Sequence, residues 1–67
     1  MKLFVVSKKY TDVYTNVKNI FIKKVENKRQ LEINYCYGDK EIIPLSEIKI
    51  CFMINEKTLE EYFRYEK

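Results

Sequence analysis

The stretch LEINYCYGDKEIIPLSEIKICFMI, residues 31–54, decides the fold, because apolar and polar residues alternate along its first and last parts. Alternation with a period of two is typical of a β-strand that has one face in a core. Gly38 and Asp39 interrupt the pattern, and glycine adopts the backbone angles that a tight reversal needs. Pro44 cannot donate to a neighbouring strand, so we place it at a sheet edge or a strand end. The stretch therefore predicts antiparallel strands joined by short connections. Before it, residues 2–6 predict a short strand that is apolar on both faces, and Asn16 and residues 26–29 predict turns.

The same stretch is apolar on both of its predicted faces. One face is predicted to carry Leu31, Ile33, Tyr35, Ile48, Ile50, Phe52 and Ile54. Cys36, Cys51 and Met53 fall on the other face, where a half-buried antiparallel sheet normally shows polar groups. This second face needs a cover, which is either the C-terminal segment of the chain or a second copy or another partner.

The last segment, NEKTLEEYFRYEK at residues 55–67, changes to a helical period. Its apolar residues Leu59, Tyr62 and Phe63 have the i, i+3, i+4 spacing of one helix face. Thr58 and Glu61 have the spacing of a capping box, and Asn55 is an alternative N-cap. The sequence thus predicts an α+β fold of one domain, residues 1–67. An antiparallel sheet of about five strands (residues 1–54) would pack against one C-terminal helix (residues 55–67), which would cover Phe21, Cys51 and Met53.

Size and composition limit what can stabilise the chain. A domain of 67 residues buries only about 60% of the surface of its unfolded chain, so its core is marginal. The hydrophobic content of 46% and the aromatic content of 15% still favour an ordered protein. With two cysteines and no histidine, a zinc site is unfavourable, and we expect no metal and no cofactor. We expect Cys36 and Cys51 to be free thiols, and a single bridge remains the alternative if their strands are neighbours.

The N-terminal apolar run, KLFVV, is too short for a secretory signal and is followed by Lys8 and Lys9. No segment approaches the roughly 18 apolar residues of a membrane span. We therefore expect a cytoplasmic protein that does not contact a membrane.

Catalytic residues are missing from the sequence. A serine or cysteine nucleophile usually needs a histidine base, and the chain has none. Gly38 is the only glycine, so a glycine-rich phosphate-binding loop is excluded. We expect a binding protein, not an enzyme.

Tyrosines favour binding to a protein. Tyrosine offers a large amphipathic contact area and is enriched in interfaces. Three tyrosines are difficult to place in a core and are the predicted partner-binding residues: Tyr10, Tyr14 and Tyr65.

Basic residues favour a nucleic acid as the alternative. Residues 1–29 hold eight basic and two acidic groups, whereas residues 30–67 hold five basic and eight acidic groups. The predicted nucleic-acid-binding residues are Lys8, Lys9, Lys18, Lys23, Lys24, Lys28 and Arg29. Cations that neutralise phosphates, beside aromatic rings that stack on bases, are typical of sequence-tolerant single-strand binding. An anionic nucleotide held by lysines and tyrosines at a dimer seam is a third hypothesis.

The pattern LEINYCYGDKEIIPLSEIKICF, residues 31–52, resembles small β-rich proteins of phages and mobile elements from AT-rich Gram-positive bacteria. Several of these proteins inhibit host defence, and anti-CRISPR proteins are among them. The resemblance implies a stoichiometric inhibitor that occupies a surface of a host complex, often as a homodimer. It identifies no functional residue in this sequence.

Overall fold

The computed structural model describes all 67 residues and contains seven β-strands, one 3-10 turn and no α-helix. The strands are β1 (Lys2–Ser7), β2 (Thr11–Tyr14), β3 (Val17–Val25), β4 (Lys28–Tyr35), β5 (Lys40–Pro44), β6 (Ile48–Ile54) and β7 (Glu61–Glu66). They form a four-stranded sheet in the order β2-β1-β6-β7 and a three-stranded sheet in the order β3-β4-β5. All neighbouring strands are antiparallel, and the 3-10 turn Leu45–Glu47 joins the two sheets.

The two sheets share one hydrophobic core. The larger sheet contributes Leu3, Val5, Ile48, Cys51 and Met53, and the smaller sheet contributes Val17, Leu31, Ile33 and Ile43. Leu45 of the 3-10 turn is 2% exposed and closes the core where the chain passes between the sheets. Each sheet therefore has an inner face in the core and an outer face that no other element of the chain covers.

The predicted α+β class is wrong, because the C-terminal segment forms strand β7 and not a helix. Two of the three residues on the predicted helical face point into solvent: Leu59 is 74% exposed and Tyr62 is 55% exposed. Strand β7 instead alternates, with Phe63 and Tyr65 against the core. Tyrosine and phenylalanine are good strand formers, and pairing with β6 satisfies backbone groups that a short helix would leave at its ends.

The capping signals in this segment are real, but they close a single turn. Asn55 Oδ1 accepts hydrogen bonds from the backbone N–H groups of Lys57 and Thr58 at 2.8 and 3.2 Å. The N–H of Leu59 then donates to the Asn55 carbonyl, and Leu59 itself has a φ of 63°. A residue with positive φ ends the helical path, so the chain reverses there and enters β7.

The predicted assignment of faces in β6 is also wrong. Cys51 and Met53 point into the core, whereas Phe52 lies on the outer face. The cause is a bulge: Val6 pairs with Ile50 and Ser7 pairs with Ile48, which leaves Lys49 as an extra residue. A bulge shifts the alternation by one residue, so Ile48 and Cys51 share the inner face although they are three positions apart.

Several predicted reversals are confirmed. Asn16 and Gly38 lie between strands with φ values of 58° and 99°, and β5 ends at Pro44 on a sheet edge. The predicted connection at residues 26–29 is shorter in the structure, since only Glu26 and Asn27 lie between β3 and β4. Both have positive φ, as a two-residue turn of type I′ requires.

Candidate interaction surfaces

The outer face of the larger sheet is apolar at its centre. Six side chains from β2, β1 and β6 form this outer apolar face: Phe4, Val6, Val13, Ile50, Phe52 and Ile54. These side chains are neighbours because their strands are paired in register. Phe4, for example, lies directly opposite Val13 on one side and Phe52 on the other. Val13 is 50% exposed and the other five are half-buried. An uncovered apolar patch on a small protein is typical of an interaction site.

An aromatic stack holds the centre of the outer apolar face in place. The rings of Phe4 and Phe52 are nearly parallel, with centroids 5.0 Å apart. The Arg64 guanidinium lies 5.1 Å from the centre of the Phe52 ring, a cation–π distance. Arg64 also donates to Glu61 at 2.7 Å and to Glu66 at 2.8 Å, so carboxylates on its own strand already neutralise it. The hydrogen bond that Arg64 donates to Glu66, followed by the one to Glu61, raises the pKa of Arg64.

The outer face of the smaller sheet has a charge at its centre. Glu32 is 7% exposed, and its carboxylate lies 3.1 Å from the Lys23 ammonium and 3.8 Å from that of Lys40. The Asn34 side-chain amide donates to the same carboxylate at 3.2 Å. The hydrogen bond from Asn34, followed by the one from Lys23, lowers the pKa of Glu32. The Glu32 carboxylate is therefore satisfied within its own sheet, whereas the buried Asn19 Oδ1 on the neighbouring strand β3 has no hydrogen-bond partner.

The structure separates the three predicted partner-binding tyrosines. Tyr10 is 41% exposed in the β1–β2 turn, whereas Tyr14 and Tyr65 are half-buried against the core. Burial, followed by the charges of Glu41 and Asp12, raises the pKa of Tyr14 to about 12. Tyr14 and Tyr65 lie on β2 and β7, at opposite edges of the larger sheet. The three tyrosines therefore do not form one site.

The predicted basic residues divide into two groups. Lys23 is occupied by Glu32, and Lys18 lies beside Val17 at the end of the molecule where Val17 bonds to Met1. The other group surrounds the 3-10 turn at the opposite end. It comprises Lys8 and Lys9 of the β1–β2 turn, Lys28 and Arg29 at the start of β4, and Lys24, which faces Arg29 across the hairpin.

Two grooves flank the 3-10 turn, and together we call them the turn-end groove. The larger has a volume of about 620 Å³ and is lined by Asn27–Gln30, Pro44–Glu47, Tyr65 and Lys67. The smaller has a volume of about 410 Å³ and is lined by Ser7–Tyr10, Ser46 and Glu47. Both are lined by Ser46 and Glu47, so the two grooves lie next to each other at the turn.

Sequence reasoning missed two features of these surfaces. Lys67 joins the turn-end groove because its ammonium donates to the Ser46 carbonyl at 3.0 Å, a contact between distant positions in the chain. The outer apolar face was missed because the bulge reverses the faces of β6. The signal that could have found it is the continuous apolar run of β1, because such a run gives the strand an apolar side chain on both of its faces.

The chain offers no candidate metal centre and two unlike thiols. No group of three or more histidine, cysteine or acidic side chains is placed to hold a metal ion. Cys36 is exposed in the β4–β5 connection, and Cys51 is buried, which raises its pKa to about 11. No helix has the length and apolarity needed to cross a membrane.

No protein-family model, curated protein or solved structure matches the chain. What the protein binds is therefore inferred from its own surfaces. Two of them differ from an ordinary solvated surface: the outer apolar face and the turn-end groove.

Proposed function

We propose that the protein is a non-catalytic binding module that attaches to a protein partner through its outer apolar face. The observation that carries the proposal is that the central strands β1 and β6 are apolar on both sides, whereas the core covers only one side. Central strands of an antiparallel sheet with a solvated face normally alternate between apolar and polar residues. The second apolar side therefore costs solubility unless another molecule covers it.

The size of the face favours a different protein over a second copy. Three strands about 4.8 Å apart and five residues of about 3.4 Å give the outer apolar face an area of roughly 250 Å². Two copies meeting face to face would each bury far less than the roughly 800 Å² per partner of a stable interface. A partner with a concave surface can extend past β2 and β7 and gain the missing area.

The charges around the face indicate what that partner surface carries. Arg64 is neutralised by Glu61 and Glu66, and Lys2 forms no ion pair at the other border. The border therefore has little net charge, and the centre is the Phe4–Phe52 stack. The complementary surface is apolar, with a pocket for aromatic rings, and its affinity should change little with salt.

The resemblance of residues 31–52 to small inhibitors of host defence supports a host defence complex as the partner class. Such an inhibitor acts by occupying a surface, which requires no catalytic residue. We place the protein in the cytoplasm, where an exposed free thiol such as Cys36 stays reduced.

The proposal is tested by photo-crosslinking in the host cell. A benzoylphenylalanine probe replaces Val13, which is exposed on the outer apolar face, and in a control variant it replaces Tyr37, which is 64% exposed on the β4–β5 connection. We expect one discrete crosslinked protein from the Val13 probe only. When the crosslinking is repeated in a lysate, the yield of this product should be the same at low and at high salt.

Three results would overturn this proposal. A crosslinked band at twice the mass of the chain would assign the face to a second copy. Equal products from Val13 and Tyr37 would show that the outer apolar face has no selectivity. The absence of any product from Val13 in a folded variant would leave the face without a protein partner.

A further inference from the structure

The turn-end groove collects positive charge that the chain itself does not neutralise. Its two parts contain five basic side chains and one acidic side chain: Lys8, Lys9, Lys28, Arg29 and Lys67, with Glu47. None of the five basic side chains takes part in an ion pair. Lys23 and Lys40 differ from these five, since they share Glu32 on the outer face of the smaller sheet.

The hairpin beside the groove even carries a repulsive pair. Lys24 and Arg29 lie directly opposite each other on β3 and β4, close to the turn at Glu26 and Asn27. Like charges at directly opposed positions destabilise a hairpin. An anion bound between this hairpin and the 3-10 turn would remove the repulsion, so the arrangement favours an anionic ligand.

The shape of the groove favours a chain over a small anion. The two parts share Ser46 and Glu47, so a ligand that crosses the 3-10 turn can follow an open path through both of them. Basic residues occur at both ends of the path, with Lys8 and Lys9 at one and Lys28 and Arg29 at the other. A ligand with negative charge at regular intervals matches this distribution.

An aromatic side chain lies beside the path. Tyr10 is 41% exposed, and the turn that carries it is fixed by Ser7. Ser7 Oγ accepts from the N–H groups of Lys9 and Tyr10 at 3.1 and 3.0 Å and donates to the Tyr10 carbonyl at 3.1 Å. A ring held next to two lysines can stack on a base while the lysines contact phosphates. An acidic peptide would use the charges but not the ring.

From this geometry we propose that the turn-end groove binds single-stranded nucleic acid without sequence preference. Lysines 8, 9, 28 and 67 and Arg29 contact phosphates, and Tyr10 stacks on one base. This site and the outer apolar face have no residue in common. Loss of nucleic-acid binding would therefore leave the proposed protein-binding function unaffected, and the reverse is also true.

The test is fluorescence anisotropy with a labelled oligo-dT of about 15 nucleotides, a length within the known range of single-strand site sizes. If the five cations neutralise five phosphates, affinity should fall about 130-fold between about 50 mM and about 200 mM salt. The variant Lys9→Gln with Arg29→Gln should bind about tenfold or more weakly and lower the salt slope by about 1.4. Tyr10→Leu should weaken binding about fivefold or more with the salt slope unchanged.

A charge-matched control distinguishes the groove from charge in general. Lys18→Gln with Lys57→Gln removes two cations at the opposite end of the molecule, outside both parts of the groove. It should leave affinity and salt slope unchanged. Equal losses in both double variants would overturn the site, as would an absence of binding at about 50 mM salt. An oligo-glutamate peptide that binds as tightly as oligo-dT, together with a silent Tyr10→Leu, would assign the groove to an acidic protein segment instead.

Discussion

The two outer faces of this protein meet water in different ways. At the centre of the smaller sheet, Glu32 is surrounded by Asn34, Lys23 and Lys40, and all of its partners belong to the same sheet. At the centre of the larger sheet, Phe52 is stacked on Phe4 and capped by Arg64. The central carboxylate of the smaller sheet has all its partners in that sheet, whereas the central ring of the larger sheet stays partly open to solvent.

The difference shows how a small β-protein can separate stability from binding. On the smaller sheet the hydrogen-bonded Glu32 separates the two exposed apolar side chains Phe21 and Ile42, so that they form no continuous apolar patch. The larger sheet leaves part of its apolar surface open, and burial of that surface by a partner provides binding free energy. Inspection of a sheet's inner face alone would not distinguish the two.

The largest expected effect is the loss of the aromatic stack. Phe52→Ala should lower the free energy of unfolding by about 2 kcal/mol, because a half-buried ring and one aromatic pair are lost. Phe21→Ala, at a 50% exposed position on the other outer face, should cost less than about 1 kcal/mol. Urea denaturation of both variants measures the difference. Equal losses of unfolding free energy in the two variants would mean that the two outer faces pack alike.

A smaller change in the free energy of unfolding, this time a gain, is expected at Leu59 in the connection between β6 and β7. Leu59→Asn should raise the free energy of unfolding by about 0.5 to 1 kcal/mol, since asparagine tolerates a positive φ that leucine does not. Thermal denaturation should show a midpoint higher by roughly 4 °C. Leu59→Ala is the matched control, because alanine retains the backbone penalty and should give no increase. A gain for alanine equal to that for asparagine would locate the effect in the exposed side chain.

The smallest effect concerns Glu32 and depends on pH. Its pKa is lowered from 4.5 in the folded protein, so the folded state favours the charged carboxylate. The resulting stability is fully present above the unfolded pKa and is lost as pH falls through the lowered folded value. Glu32→Gln should therefore be less stable than the natural protein at about pH 6 and similar to it at about pH 3, as measured by urea midpoints. A constant difference across that range would exclude ionisation of Glu32 as the cause.

Much of the sheet structure was predictable from local patterns. Alternation located the strands around residues 31–37 and 48–54, and Asn16 and Gly38 marked two reversals that the structure confirms. These features depend on neighbours in sequence, which a single chain displays directly. The C-terminal segment was not predictable in this way. The capping residues Asn55 and Thr58 can begin a single turn as well as a whole helix, so they do not distinguish the two. Pairing with β6, a tertiary contact, decided between the two.

The binding surfaces were predictable only in part. The excess of lysine in residues 1–29 was evident, but the fold sends Lys18 and Lys23 elsewhere and brings Lys67 to the 3-10 turn. The outer apolar face depends on the bulge at Lys49, which moves Phe52 outward and Cys51 inward. A one-residue bulge in a strand leaves no distinctive signal in composition. Which side chains of β6 face the core can therefore be told only from its pairing with β1.

The pairing of β1 with β6 has a consequence for the order in which the protein folds. The strands β3, β4 and β5 are consecutive and can pair through short connections, whereas Val5 must find Cys51 near the other end of the chain. Closing such a long loop is slower than forming local hairpins. A chain emerging from the ribosome would therefore present its basic β3–β4 hairpin while the outer apolar face does not yet exist. That face would form only once β6 has been synthesised and has paired with β1, the same step that closes the core shared by the two sheets.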